Sequence, residues 1–428
     1  MEKIKLGDLL NFRRGYDLPK KDFERGSIPV ISSSGIMGYH STAKSKSPVL
    51  SIGRSGSVGR PFYLETNFFP HNTTLFVDDF KGNDPKYLFY LIESINLDDW
   101  KSGTGVPTLN RNHIHPIKVP AYTRLEDQKK IAKVLNDLDG KIELNNQINK
   151  ELESMAKLVY DYWFVQFDFP TSAGYAAKAG KPDMEGKPYK SSGGQLVYNE
   201  VLKREIPEGW GDGKFGDYAN VKSGFAFKSK WWTEQGCPVI KIKDITENGI
   251  VNTDSLSFVS EKNAPRASKF KATSGDVIIA MTGATIGKFA LIPDSDMSYY
   301  INQRVGLYDL GRKPIKKLPY LFNSLRQEYF RQKIFQVASG AAQPNISNSQ
   351  LDNIKMTSPH QSLINLYNTK FGHYYRKILN NQKENQELVA LRDWLLPMLM
   401  NGQVSVGEGY DVVEEKLGVV AEKKKDFN

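Results

Sequence analysis

The sequence predicts an α+β fold: two mixed α/β domains separated by two long, antiparallel, coiled-coil-like helices, with an internal pseudo-twofold repeat. Three observations carry this. The segment GDLLNFRRGY, Gly7 to Tyr16, is written again as GDYANVKSGF, Gly216 to Phe225, 209 positions further on. The net charge of +10 sits in two blocks: residues 1–122 hold 16 Lys and Arg against 12 Asp and Glu, residues 206–360 hold 20 against 14, and residues 123–205 and 361–428 are neutral. Each block is followed by a long stretch with apolar residues at helical spacing.

Length and composition bound the class. A chain of 428 residues, 39% hydrophobic and 25% charged, suits a globular protein with two or three cores. The single cysteine, Cys237, excludes an intramolecular disulfide framework and a Cys-rich zinc site, and a reducing compartment is the natural reading. MEKIKLGDLL lacks an apolar signal core and no stretch reaches the length of a membrane span, so a cytoplasmic location is expected. Positive charge confined to two domains suggests two contacts with a polyanion, against the plainer reading of charge for solubility.

The repeat extends along both blocks. Pro29-Val30-Ile31 meets Pro238-Val239-Ile240 at the offset of 209, and Ser102 to Pro107 meets Ser339 to Pro344 at 237, so the second copy gains 28 residues between these anchors. In each copy a strand-like, Gly-punctuated run, SPVLSIGRSGSVGRPFYL or SGDVIIAMTGATIGKFALI, precedes short helical stretches, DPKYLFYLIESI or LPYLFNSLRQEYFRQKIF.

A long helix then follows. From Asp127 to about Val165 the apolar positions are Ile131, Leu135, Leu138, Ile142, Ile148, Leu152, Met155, Val159 and Tyr162. The second copy offers Ile364, Phe371, Tyr375, Ile378, Leu388, Leu391 and Leu395 before Pro397, which is expected to end it. Each stripe needs the other to cover it, hence an antiparallel pair. Asn145-Asn146 and Asn380-Asn381, in a shared LNNQ step at offset 235, interrupt both seams; they are either buried amides that fix register or solvated surface amides. Thr171 to Gln195, rich in Gly, Lys, Ser and Ala, reads as a surface loop or linker with a hairpin near Ser192-Gly193-Gly194. The tail from Val406 reads as frayed.

Catalytic patterns are missing. Gly283 to Phe289 spaces its glycines too closely for a phosphate loop and carries Phe289 where a metal-binding hydroxyl belongs. His113 and His115, read as one face of a strand, have no carboxylate or cysteine company. Polar, basic loops do recur at equivalent places. Arg54-Ser55-Gly56-Ser57 matches Met281-Thr282-Gly283-Ala284, His71-Asn72-Thr73-Thr74 matches Asn302-Gln303-Arg304, and Thr104 to Arg111 matches Ala341 to Asn348, the latter including Gln343 and Asn345. Arg, Asn and Gln can bind base edges in pairs of hydrogen bonds, and each type also serves as a turn former or cap. Candidate DNA contacts are therefore Arg54, Ser55, His71, Asn72, Thr73, Thr104 and Arg111 in the first copy, and Lys241, Lys243, Thr282, Gln303, Arg304, Gln343 and Asn345 in the second.

The order globular repeat, long helix, globular repeat, long helix closely resembles the DNA specificity subunits of type I restriction-modification systems. The resemblance rests also on SG-x-x-x-P followed by an Ile-Lys strand, on Gln128 and Gln361 opening the helices, and on Gly186-Lys-Pro-Tyr-Lys-Ser-Ser-Gly-Gly leading to Arg204-Glu-Ile-Pro-Glu-Gly-Trp210. One departure is that the first copy opens at Glu2-Lys-Ile-Lys without the IPEGW lead-in. The resemblance implies target recognition domains at 1–122 and 206–360, and conserved spacer segments at 123–205 (helix plus linker) and 361–428. It implies a non-catalytic chain without cofactor or metal, binding double-stranded DNA, two DNA methyltransferase subunits and restriction/translocase subunits, and no membrane. A recognition subunit of another methylation-based defence system, a protein-binding scaffold and an unrecognised nuclease stay open as alternatives.

If the helices set the separation of two half-sites, four residues inserted after Gln147 add about 6 Å of helix. The expected result, read by methylation mapping of cells carrying the variant and its modification subunits, is a spacer longer by roughly one or two base pairs with both half-sites unchanged.

Overall fold

The computed structural model describes residues 2–102, 107–253, 255–295, 297–338 and 344–407. Two compact units partition the chain: Met1–Ile142 with Glu387–Asn428, and Glu143–Gln386.

In the first unit a four-stranded antiparallel sheet runs in the order Asn11–Arg14, Thr74–Asp79, Val49–Gly53, Pro61–Leu64. Beside it, Ile28–Ser32 pairs antiparallel with Gly35–His40 and parallel with Phe69–Pro70. The second unit repeats the plan. Val221–Ser223, Val305–Tyr308, Val277–Ala280 and Phe289–Leu291 form its four-stranded sheet, and Cys237–Ile240 pairs parallel with Tyr299–Ile301. The parallel pairs Val30/Phe69 and Val239/Tyr300 fall in the same place.

The opening repeat is explained by close packing. A Cβ on Gly15 would lie 2.1 Å from the His71 carbonyl oxygen, and one on Gly224 would lie 2.3 Å from those of Asn302 and Ile301. A Cβ on Gly7 or Gly216 would lie 2.7 Å from the Cβ of His115 or Asp352. No side chain fits at these four positions, so both copies keep glycine.

The extra 28 residues can be placed by matching hydrogen bonds. Gly59 N–H donates to the Gly53 carbonyl and Gly287 N–H to that of Ala280, both at 2.9 Å, so the offset has grown from 209 at Ile31/Ile240 to 227 at Gly53/Ala280. Most of the gain lies in that interval, where Ser257–Val259 pairs with Cys237–Ile240 as Gly35–His40 pairs with Ile28–Ser32, and the second unit adds the 3-10 segments Ile242–Asp244 and Ala264–Phe270.

The long helices are Leu125–Tyr160 and Gln361–Met400. The first ends in a π-helical turn, Asp161–Val165, and Met155 and Tyr162 are exposed (49% and 37%) while Ala156 and Tyr160 are buried. The predicted stripe was off by one face there because the aromatic core of Tyr160, Trp163 and Phe164 captures neighbouring positions. Pro397 lies inside the second helix, three residues before its end: the last turn closes through Asn401 N–H to the Pro397 carbonyl at 3.0 Å, so the ring interrupts one bond without ending the helix.

The register-fixing reading of the amides holds for two of the four. Asn145 and Asn381 are fully buried; Asn146 and Asn380 are exposed. Asn145 Nδ2 donates to Glu384 Oε2 at 2.8 Å and Asn385 Oδ1 at 2.9 Å, and Asn381 Nδ2 donates to Asn149 Oδ1 at 2.8 Å. The pairs 145/385 and 149/381 make the helices antiparallel and relate them at offset 236, one residue beyond the LNNQ alignment.

Thr171 to Gln195 is no linker. It forms the helix Ala173–Lys178 and buries Ala176, Met184 and Tyr189. Tyr189 stacks on Phe169, which stacks on Trp210 (centroids 4.7 and 5.1 Å apart). Its polar composition hid three anchors, and the hairpin lies later, at Leu196–Asn199 and Arg204–Pro207.

Two predictions follow from this packing. Gly15→Ala and Gly224→Ala should each destabilise by about 1–3 kcal/mol or more, seen as a lowered urea midpoint, whereas Gly140→Ala, inside a helix with nothing near its Cβ, should not destabilise. Asn145→Ala should cost about 1–3 kcal/mol and Asn146→Ala far less. The Asn149/Asn381 pairing also refines the spacer test: the four-residue insertion after Gln147 needs a matching one after Gln382 to keep both amide contacts.

Candidate nucleic-acid interface

In each unit one weave of backbone hydrogen bonds gathers the candidate loops. Arg54 N–H donates to the Thr73 carbonyl and Leu109 N–H to the Arg54 carbonyl, each at 2.8 Å; Met281 N–H donates to the Arg304 carbonyl and Ile346 N–H to the Met281 carbonyl, each at 3.0 Å. Single bridges pair Ser55 with Thr108 and Thr282 with Asn345. Phe12 N–H donates to His115 Nε2 at 3.0 Å, and Val221 N–H to Asp352 Oδ1 at 2.8 Å. Position by position, Arg54 answers to Met281, Ser55 to Thr282, Asn72 to Gln303, Thr73 to Arg304, Thr108 to Asn345 and Arg111 to Asn348.

In the second unit this weave encloses an open cleft of about 800 Å³ lined by Ser223, Met281, Thr282, Gln303, Arg304, Pro344 to Ser349. Thr282, Gln303, Arg304 and Asn345 are thus brought together. Gln303, Arg304 and Asn345 are exposed, while Thr282 is buried with a hydroxyl that has no partner among the described residues. Lys241 and Lys243 do not line the cleft. The Lys241 ammonium lies 3.6 Å from the centre of the Trp232 ring, and burial pulls its pKa below the ordinary value. Lys243 Nζ donates to the Ser255 carbonyl at 3.1 Å.

In the first unit His71 Nδ1 meets Thr73 Oγ1 at 3.1 Å, and that hydroxyl also accepts Ser33 N–H at 3.2 Å. Burial holds the His71 imidazole below its ordinary pKa, against the Leu18 carbonyl and Asp17, which pull it up. Asn72 is occupied by Asp17. Arg111 opens the short helix Arg111–Ile114, capped by the Asn110 side chain. The strand expected for His113 and His115 is therefore a helical turn, because the Asn110 cap turns the chain; His115 is a backbone acceptor. Thr104 and Gln343 lie outside the described residues.

Sequence reading missed Ser223 and Asn348, which line the cleft and share a hydrogen bond of 2.6 Å, and Arg14, the counterpart of Ser223. Offset 209 pairs Arg14 with Ser223, and 237 pairs Arg111 with Asn348, so the signal was present in the repeat itself. Charge pairing separates two kinds of arginine. Arg326 and Arg392 bind Glu153 and Asp139, both at 2.9 Å; among the described residues Arg14, Arg54, Arg111 and Arg304 form no ion pair. Among the described residues, moreover, no group of His, Cys, Asp or Glu is placed to hold a metal, and no helix is long and apolar enough to cross a membrane. Lys288 of the glycine-rich Gly283–Phe289 segment pairs with Glu247.

Comparison with known proteins gives the family. The family model for the type I restriction modification DNA specificity domain matches residues 1–154 and 207–388. The specificity subunit of the type I restriction enzyme MjaVIII from Methanocaldococcus jannaschii is 29% identical over 329 residues, covering 76% of this chain and 71% of the relative. That of HindI from Haemophilus influenzae is 25% identical over 366 residues, covering 75% and 77%. The crystal structure of the type I system S subunit from M. genitalium shares the fold, with a TM-score of 0.58 at 17% identity over 93% of this chain and 96% of that one. With two matched blocks that together span most of its length, each holding one copy of the same weave, the chain belongs to the type I restriction-modification DNA specificity family.

Proposed function

We propose that the chain reads a bipartite, asymmetric target in double-stranded DNA and scaffolds two DNA methyltransferase subunits, with restriction/translocase subunits where present. In this reading residues 1–122 and 206–360 are the recognition domains, residues 123–205 and 361–428 are the spacer and docking segments, and the chain works in the cytoplasm without catalysis, cofactor or metal of its own. The observation that carries it is the weave built twice, once per unit, with different side chains at matched positions: Arg54 against Met281, Thr73 against Arg304, Thr108 against Asn345 and Arg111 against Asn348, the arginines forming no ion pair among the described residues. Such groups suit base edges and phosphates, and their exchange between copies suits two unlike half-sites.

Two partner copies are supported by a second repeat. Met155, Leu158 and Tyr162 form an exposed apolar face on the first long helix, with Leu158 70% exposed. At offset 236 stand Leu391, Trp394 and Met398, with Leu391 and Trp394 43% and 55% exposed on the second. An apolar helical stripe turned to solvent twice, at equivalent positions, suits docking of two copies of one helical partner.

The test of the DNA reading is exchange of residues 206–359 for those of another family member, followed by methylation mapping. One half of the recognised site should change and the other should stay; a change in both halves would contradict independent reading. For the scaffold, Leu158→Asp and Trp394→Asp should each lower the methyltransferase content from two subunits to one in native mass spectrometry, with urea midpoints unchanged. The rigorously purified chain alone should neither transfer methyl groups from S-adenosylmethionine nor cleave DNA with magnesium.

A further inference from the structure

Resting on that DNA reading, we propose that the two weaves recognise different base chemistry: the first reads guanine through Arg54 and an Arg14/Arg111 pair, and the second reads adenine through Gln303 and Asn345, with guanine only at Arg304.

The matched weave makes this a comparison at fixed backbone positions. Phe12 N–H bonds His115 as Val221 N–H bonds Asp352. Arg14 stands two residues after Phe12 and Arg111 four before His115, just as Ser223 and Asn348 stand to Val221 and Asp352. Ser223 and Asn348 touch at 2.6 Å, so the matched backbone positions start the Arg14 and Arg111 side chains from neighbouring points of the first weave, within reach of one ligand. Two neighbouring guanidinium groups with no carboxylate partner among the described residues repel unless an electron-rich ligand lies between them. The guanine major-groove edge offers two adjacent acceptors that match the fork of one arginine. A third arginine, Arg54, occupies the place of Met281, anchored through its own N–H and carbonyl by Thr73 and Leu109.

The second cleft inverts this chemistry. Its cation comes from the facing turn, Arg304 at the place of Thr73. Amides stand elsewhere on the rim: Asn345 at the place of Thr108, and Gln303 at the place of Asn72. Asn72 is engaged by Asp17, whereas the exposed Gln303 and Asn345 line the cleft. An amide presents one acceptor and one donor side by side, the complement of adenine N6 and N7.

The test uses the full chain assembled with its methyltransferase subunits and S-adenosylmethionine, on a duplex library randomised in both half-sites, with methylated sequences read out. Arg54→Met, Arg54→Lys and Arg111→Asn should each relax a guanine position in the first half by roughly 5- to 150-fold and leave the second half untouched. Asn345→Thr should relax an adenine position in the second half alone. Arg54→Lys retains the charge and the stem, so it remains informative if Arg54→Met fails to assemble. Equal weakening on all sequences, with Arg54→Lys close to the parent, would make these arginines phosphate contacts and overturn the base assignment while leaving DNA reading intact. An unchanged motif, or relaxation at bases other than those named, would also overturn it. Loss of selectivity in both halves from any one substitution would instead sink the underlying reading of two independent domains.

Discussion

The contact on which both weaves depend is a backbone crossing too close for any side chain. At Gly15 and Gly224 the chain passes against the carbonyls of His71 and of Ile301 and Asn302 so tightly that a single Cβ would sit inside van der Waals contact. That crossing brings the end of the first sheet strand against the loop that carries Thr73 or Arg304, and from there the N–H of Arg54 or Met281 completes the weave. The side chains of Arg54, Thr73 and Leu109, and of Met281, Arg304 and Ile346, are free to vary because the bonds of the weave at these positions run through the backbone. This is how one scaffold can present arginine in one copy and methionine, serine or asparagine in the other.

Charge is managed differently at the clefts and along the helices. Asp139 gathers Arg392 at 2.9 Å and the Tyr90 hydroxyl at 2.6 Å, and the carboxylate of Glu93 nearby is pushed above its ordinary pKa mainly by burial. In the other unit Arg326 meets Glu153, whose pKa is likewise raised by burial and drawn down by that arginine. Such cations are internally satisfied and unavailable to a ligand. Arg14, Arg54, Arg111 and Arg304, by contrast, form no ion pair among the described residues, a difference that net charge alone does not reveal.

Along the helices, polarity acts through specificity. A continuous apolar seam tolerates sliding by a turn, since each leucine-like position resembles the next. The buried Asn145 and Asn381 remove that freedom, because a shift by one turn would strand amides that now find Asn385, Glu384 and Asn149. The same helices turn a second apolar face outward at Leu158 and Trp394. Each helix thus carries two apolar stripes, one covered and one exposed, which a single hydrophobic period conceals.

The sequence by itself determined the duplicated architecture, the two long helices and the identity of the loops at the clefts, since these are written in glycines, spacing and local charge that survive without tertiary context. Offsets of 209 and 237 already paired Gly15 with Gly224 and Thr108 with Asn345. What only the tertiary structure decided is which side of each pattern faces inward. Met155 and Tyr162 looked like core and are exposed, Asn145 is buried while Asn146 beside it is not, and Thr171 to Gln195 looked like linker and packs through Tyr189. In each case the local pattern admits both outcomes, and the choice was made by a distant surface: the aromatic core around Tyr160, the facing amides of the second helix, and the Trp210 ring. The grouping of Ser223 with Asn348, 125 residues apart, is of the same kind. It arises from how the sheet edge meets a short helix, and no window along the chain contains both.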